Sequence, residues 1–255
     1  MKGFSVFARK EALEIVRTWR LWVLPGMVLF FALSGPLMAK WTPQIVTAVG
    51  GSAMARIFQA LPTPTYLDAY GQWTKNLTQI LLIAIIIIYG SLVSSEKKSG
   101  TAILVITKPV SRQAFVLAKV LVHGLFLSAT VLGGTVLTWA VTKVAFVSAP
   151  AGALWAGTFA WLTLALFFLA LMALLSVLVD SPAGAAGIGI GVFAVLSISG
   201  LWQVMALFSP AALINAPMVL TAGKDYPIAI PVIVTWGVIV VLTYAAAEAF
   251  RRKEI

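Results

Sequence analysis

Six long apolar runs divide the chain, and each is long enough to cross a lipid bilayer. They cover residues 21–39, 77–95, 116–142, 154–179, 183–208 and 228–250. A transmembrane helix needs about 20 predominantly apolar residues. We therefore predict an all-α membrane protein in which residues 21–255 form a single domain of six transmembrane helices.

The first 20 residues show a different pattern, because apolar and charged residues recur there with the period of a helix. Lys10, Glu14 and Arg17 lie on one side, where the spacing of four residues predicts that Lys10 pairs with Glu14. Most apolar residues form a stripe on the other side, and Phe7 and Leu13 fall outside this stripe. This pattern favours an amphipathic helix lying in the membrane interface, and a solvated lead-in to the first span is the alternative. The stripe consists of Phe4, Ala8, Ala12, Ile15 and Trp19.

Residues 40–76 form the longest polar stretch, which we expect on the outer side of the membrane. Within it, residues 42–61 are predicted to form an outer helix that Pro62 and Pro64 end. Thr65 and Asp68 then have the spacing of a new helix start. The aromatic residues of this stretch are typical of a belt at the membrane interface, namely Trp41, Tyr66, Tyr70 and Trp73.

Two features distinguish the last third of the chain. Gly184, Gly187 and Gly191 give the fifth run a small-residue spacing that lets helices approach closely in lipid. Such a face fits either the interface with a second copy or packing within one chain. Residues 209–227 are rich in Pro, Asn and Gly and too short to cross. We predict that they form a re-entrant pair of short helices on the outer side.

The charge distribution orients the chain. Only 10% of the residues are charged, whereas soluble domains carry about 25%. The net charge is +10, and most of the 18 Lys and Arg residues fall at the ends of spans on the side of the N-terminus. This bias predicts that both termini are cytoplasmic and that the basic residues meet lipid and not nucleic acid. The five exceptions are Lys40, Arg56, Lys75, Lys143 and Lys224.

Residues for catalysis are not found in the sequence. It has no cysteine, one histidine (His123), no phosphate loop of the form GxxxxGK[ST], and no HExxH or GxSxG motif. We therefore expect no catalytic residue, no metal site and no cofactor bound by this chain. Ion-coupled transporters keep ionisable residues inside the membrane, and these runs are almost free of them. Any transport would then be powered from outside the chain.

A motif lies in segment 94–119, between the second and third runs. Glu96, Lys97 and Lys98 precede Gly100-Thr101, then an apolar stretch leads to the sequence KPVSR at 108–112, and Lys119 enters the third run. This pattern resembles the signature of type-2 ATP-binding-cassette (ABC) permeases, E-x-x-x-G-T followed by x-P-[VL]-S-R and a lysine. The predicted layout is also similar, and within the class the chain resembles the bacterial exporter subfamily.

The resemblance implies the permease subunit of an exporter, in the plasma membrane of a bacterium or archaeon. Two cytoplasmic ABC ATPase subunits would bind ATP and Mg²⁺, and a second permease copy, identical or different, would complete the transporter. Residues 101–106 would form a coupling helix seated in the ATPase. The residues implied in this contact are Glu96, Lys97, Lys98, Gly100, Thr101, Ile103, Leu104, Ile106, Pro109, Ser111 and Arg112.

One alternative to a transporter subunit stays open. Segment 94–119 also fits a positive-inside loop without a partner, in which case the protein would be a membrane scaffold or assembly factor that does not transport. No motif selects a cargo. The apolar runs predict a translocation path between two copies, lined by small and aromatic residues, which would suit an amphipathic or apolar cargo.

Overall fold

The protein is a bundle of helices. The computed structural model describes residues 4–59, 63–98 and 111–253, and every regular element within these ranges is helical. In chain order the elements are α1 Phe4–Arg17, α2 Arg20–Gln59, α3 Tyr66–Asn76, a π-helix Leu77–Leu81, α4 Leu82–Tyr89, α5 Ser94–Lys98, α6 Arg112–Ala145, α7 Ala151–Leu178, α8 Pro182–Ser199, α9 Gln203–Phe208, α10 Ala212–Thr221 and α11 Ala229–Arg252.

Six helical segments of the described chain are long and apolar enough to cross a membrane, which confirms the predicted fold class. The six spans are Arg20–Gly50, Tyr66–Glu96, Arg112–Ala145, Ala151–Leu178, Pro182–Ser199 and Ala229–Arg252. The first two are longer than their apolar runs. Helix α2 continues to Gln59 without a break, so the predicted outer helix is an extension of the first span.

The second span begins within the stretch that was predicted to be an outer polar segment. As expected, a helix starts after Thr65, where the Asp68 carboxylate accepts the Thr65 backbone N–H at 2.7 Å. This capping satisfies a backbone donor at the helix start. The helix then continues through the π-helix into α4, so residues 66–76 belong to the same rod as the apolar run.

The fourth span lies at the centre of the bundle. In its most apolar window 78% of the residues are buried, against 17% for the fifth span. Its large side chains Trp161 and Phe168 are fully buried. Phe168 also meets Phe193 of the fifth span edge-on, with ring centroids 6.0 Å apart. The fourth span therefore lies in the middle of the bundle, whereas most of the fifth faces outward.

The predicted aromatic belt is wrong for two of its members. Tyr70 and Trp73 are fully buried in the core. The Tyr70 hydroxyl donates to the Pro150 carbonyl at 3.2 Å. The Trp73 ring lies against Gly134 of the third span, where an added Cβ would come within 2.9 Å of the indole. These side chains therefore pack the second span against the third and do not mark a membrane surface.

The predicted fifth span, residues 183–208, is too long, because its helix ends at Ser199 and Gln203–Phe208 form a separate short helix. Helix α10 then packs against the fourth span, where a Cβ on Gly157 would lie 2.5 Å from Thr221 Cγ2. Residues 209–227 therefore contain one short helix, α10, and not the predicted pair, because α9 lies before them. Their depth in the membrane stays a prediction.

The N-terminal helix α1 packs against the third span through a face that differs from the predicted stripe. Its buried residues are Phe7, Glu11 and Ile15, whereas Ala12 is exposed. Phe7 meets Phe115 edge-on with centroids 5.6 Å apart. The stripe prediction was wrong here because it left out Phe7, which makes the main contact, and a buried carboxylate. The position of α1 in the membrane interface stays a prediction.

Candidate site at the basic end of the bundle

One end of the bundle gathers most of the ionic contacts of the described chain. Helix α1, the end of the second span, the start of the third and the end of the sixth meet there. We call it the basic end, after Arg20, Lys119 and Arg251, which all lie in it. The two described parts of segment 94–119, residues 94–98 and 111–119, both lie at this end.

Lys119 is the centre of the basic end. Its side chain is fully buried, and its Nζ lies 2.9 Å from Glu11 Oε2 and 2.6 Å from Glu96 Oε1. The ammonium group also stands 5.0 Å from the centroid of the Phe115 ring. Three elements, α1, α5 and α6, are therefore joined by two charge-assisted hydrogen bonds to one nitrogen.

Lys10 and Arg20 complete this group of charges. Lys10 Nζ lies 2.6 Å from Glu96 Oε1 and 2.8 Å from Glu14 Oε2, which confirms the predicted pairing of Lys10 with Glu14. Arg20 Nη1 lies 3.6 Å from Glu14 Oε1, and its Nη2 donates to Ser91 Oγ at 3.3 Å. We call the six residues the charge cluster: Lys10, Glu11, Glu14, Arg20, Glu96 and Lys119.

The charge cluster is electrically balanced, since three carboxylates face three cations. Burial acts to raise the pKa of Glu11, but the ammonium groups of Lys119 and Lys10 outweigh it and lower this pKa to about 2. Burial also opposes the shift at Lys10, whose pKa is nevertheless raised by Glu11, Glu14 and Glu96. Both side chains therefore stay charged at neutral pH, as an ion-paired site requires.

The three carboxylates are also close enough together to hold a cation. One oxygen each from Glu11, Glu14 and Glu96 lie within 4.8 Å of one another. The ammonium groups of Lys10 and Lys119 already contact these oxygens at 2.6 to 3.0 Å. These contacts neutralise the carboxylates and join the helices that carry them by ion pairs.

His123 lies one helical turn beyond Lys119 and is fully buried. Its Nε2 is 3.7 Å from Glu11 Oε2, beyond hydrogen-bonding distance, and neither ring nitrogen has a hydrogen-bond partner among the described residues. Its ring meets Tyr89 edge-on with centroids 5.3 Å apart.

A second set of contacts ties the end of the sixth span to the start of the third. Arg112 Nη1 donates to the carbonyls of Arg251 and Lys253 at 3.3 and 3.1 Å. Lys253 Nζ in turn lies 3.0 Å from Asp180 Oδ1, at the turn between the fourth and fifth spans. Glu248 pairs with Arg251 on the same helix, three residues on, at 2.6 Å.

The residues predicted for coupling fall partly on this end. Glu96 lies in the charge cluster and is buried, so it faces the bundle and not the outside. Lys97 and Lys98 end helix α5. Ser111 caps helix α6 by accepting the Ala114 N–H at 3.3 Å, as the predicted helix start required. The others, Gly100, Thr101, Ile103, Leu104, Ile106 and Pro109, lie outside the described residues.

The glycines proposed for a protomer interface divide into two kinds. Gly187 and Gly191 are exposed, and no atom of the described chain lies within 4 Å of a Cβ added at either. Gly184 instead sits against Val179 and Ser181, where the added Cβ would meet side-chain atoms at 3.2 and 3.4 Å. An open small-residue face thus runs along the fifth span at Gly187 and Gly191.

The burial of Glu11 was not predicted from the sequence, and neither Lys10 nor Lys119 was predicted to be a site residue. A signal for Glu11 was present, because Phe7, Glu11 and Ile15 are spaced four residues apart and share one helical face. A single carboxylate between two large apolar residues indicates a buried charge, and a buried charge needs a partner. That partner is Lys119, 108 residues away in the chain.

Six apolar spans with an ion-paired basic end define a multi-pass membrane protein. A family model described as ABC-2 family transporter protein matches residues 6–255, and the chain belongs to this family. It is therefore a membrane-spanning transporter subunit that partners with ABC ATPase subunits and is not itself the ATPase. A search among curated proteins finds none that matches the chain.

Proposed function

We propose that this chain is the permease of an ABC exporter, driven by two ATPase subunits that dock on segment 94–119. The basic end would face the cytoplasm, with both termini on that side, in the plasma membrane of a bacterium or archaeon. ATP and Mg²⁺ would bind to the ATPases. Two identical permease copies would pair, with Gly184, Gly187 and Gly191 at or near their contact.

The buried ion pair between Glu96 and Lys119 is the observation that carries this proposal. These two residues stand on either side of the segment that would meet the ATPase, and their side chains are 2.6 Å apart. Glu11 and Lys10 add the N-terminal helix to the same contact. A displacement of the segment would therefore move α1, the second span and the third span together.

The remaining coupling residues follow from the family resemblance. Thr101, Ile103, Leu104 and Ile106 would supply the apolar face of the coupling helix. Gly100 and Pro109 would shape its two turns, while Lys97, Lys98, Ser111 and Arg112 would stand around it. Charges at the rim of such a contact mainly steer association, so the apolar residues would carry most of the affinity.

Co-purification of the chain with the ABC ATPases of its native host tests the proposal. We expect the ATPase to be retained by the unchanged chain. Leu104→Asp should abolish this retention, because it would bury a charge in the contact between the coupling helix and the ATPase. Val147→Asp is the matched control, since Val147 is fully exposed at the opposite end of the bundle. Retention of the ATPase by Leu104→Asp, or equal loss in both variants, would contradict the coupling role.

ATPase activity of the complex in lipid vesicles separates transport from the scaffold alternative. A transporter complex hydrolyses ATP and moves cargo, so the rate should change when candidate cargoes are added. A complex that binds the ATPase but neither hydrolyses ATP nor responds to any cargo would favour the assembly factor.

A further inference from the structure

A polar stripe occupies one face of the outer half of the second span. Its members recur at intervals of three and four residues, within about 100° of one another around the helix. All are exposed or half-buried, whereas Tyr70, Trp73 and Leu77 on the opposite face are fully buried. The stripe consists of Asp68, Gln72, Lys75, Asn76 and Gln79.

The depth of the stripe follows from contacts with the first span. Arg20 bonds to Ser91 at the basic end, and Lys40 lies 20 residues further, about 30 Å along the helix, which is the thickness of a hydrocarbon core. Gly35 faces Gln72, since an added Cβ would lie 3.8 Å from Gln72 Cγ. Gln72 therefore lies level with Gly35, about 7 Å from Lys40 toward the basic end.

Asn76 and Gln79 lie deeper still. They are four and seven residues further along the same helix, which places them about 6 and 10 Å below Gln72. Polar side chains at this depth are costly when they face lipid, and spans place them toward protein or water. The Gln72 amide donates to Asn76 Oδ1 at 3.4 Å, which is too long to satisfy either group fully.

Two further observations mark this face as a functional one. The π-helix Leu77–Leu81 overlaps the inner end of the stripe, since it contains Gln79. Single π turns inside α-helices are frequent at functional sites. A cavity of about 730 Å³ opens at the outer end of the stripe, lined by Asp68 and Gln72 and, across from them, by Met38 and Thr42 of the first span. The stripe thus continues into a space that is open toward the outer side.

We propose that Gln72, Lys75, Asn76 and Gln79 line a water-filled translocation path, and that the cargo is a polar solute with neutral or anionic hydrogen-bonding groups. Asp68 is not part of this lining, because its carboxylate caps the start of the helix. The lining therefore offers amide donors and acceptors and one ammonium group. This proposal rests on the transport function proposed above, and it replaces the expectation of a path lined by small and aromatic residues.

The absence of cysteine from the sequence gives a direct test. Each of Gln72→Cys, Asn76→Cys and Gln79→Cys carries a single thiol, which can be labelled in lipid vesicles with water-soluble methanethiosulfonates. The reaction needs a hydrated thiolate, so we expect these positions to react roughly tenfold faster than Phe30→Cys. Phe30 is the matched control, because it is 64% exposed and lies about 7 Å deeper than Gly35 on the first span.

The charge of the reagent tests the role of Lys75. An anionic methanethiosulfonate should react faster than a cationic one at Asn76→Cys, and Lys75→Gln should remove this preference. Labelling of Gln79→Cys should also be the same in phosphatidylcholine vesicles with and without phosphatidylglycerol. A loss of labelling with the anionic lipid would mean that a lipid headgroup covers the stripe, and this would overturn the proposal.

Other outcomes also decide the matter. Reaction of Asn76→Cys no faster than Phe30→Cys, or disulfide cross-linking between two copies without labelling, would show a face packed against protein and would overturn the path. Retention of the ATPase by the same variants reports separately on the proposed function. Slow labelling with the ATPase retained refutes the stripe alone, while fast labelling without ATPase retention refutes the coupling proposal.

Discussion

Replacement of Lys119 by methionine is the sharpest test of the charge cluster. Methionine has a similar length and fills the same space, so the change removes the charge and leaves the packing nearly intact. Glu11 and Glu96 lose the ammonium group that contacts them at 2.9 and 2.6 Å. Two neighbouring carboxylates then remain with Lys10, whose side chain is 43% exposed.

The expected cost follows from this geometry. Removing one partner from a buried ion pair costs about 3–5 kcal/mol, because the other charge stays buried without compensation. In a chain of this size each kcal/mol lowers the unfolding midpoint by roughly 2–4 °C, so we expect a decrease of about 6–20 °C. Neutralising all three charges, by adding Glu11→Gln and Glu96→Gln, should restore most of the loss.

Thermal unfolding in detergent, followed by tryptophan fluorescence, measures this effect. Lys143→Met is the matched control, since Lys143 is exposed and contacts only the Trp139 ring at 5.0 Å among the described residues. That contact is worth about 0.5–1 kcal/mol at an exposed site. A midpoint for Lys119→Met equal to that of Lys143→Met would refute the view that the cluster holds the three elements together.

Two further predictions concern acid and packing. The pKa of Glu11 is held at about 2, below its ordinary 4.5, so its contribution is complete above pH 4.5 and is lost as the pH falls toward 2; Glu11→Gln should flatten the unfolding midpoint over this range in a series of acidic buffers. Gly157→Ala should destabilise the contact of α10 with the fourth span by about 1–3 kcal/mol, because its Cβ would lie 2.8 Å from the Pro217 carbonyl. Gly152→Ala, with no atom within 4 Å of the new Cβ, should leave the midpoint unchanged or higher, and equal midpoints for the two variants would contradict the packing argument.

The sequence by itself determined the features that depend on neighbours along the chain. Six spans could be predicted because a bilayer forces every spanning segment to satisfy its backbone internally and to be apolar over a fixed length. The helix start at Thr65 and Asp68 and the pairing of Glu248 with Arg251 involve residues three apart. Helical geometry alone brings such residues together.

The tertiary structure decided everything that joins distant parts of the chain. Glu96 and Lys119 belong to one sequence motif, but nothing along the chain links them to Glu11, 108 residues before Lys119; packing of α1 against the third span makes the three one buried cluster. Packing of the second span against the third buries Trp73, while Gln79 of the same second span stays exposed. The hydropathy of a residue indicates whether it prefers an apolar or an aqueous environment. Which residue it contacts depends on the helix that packs against it.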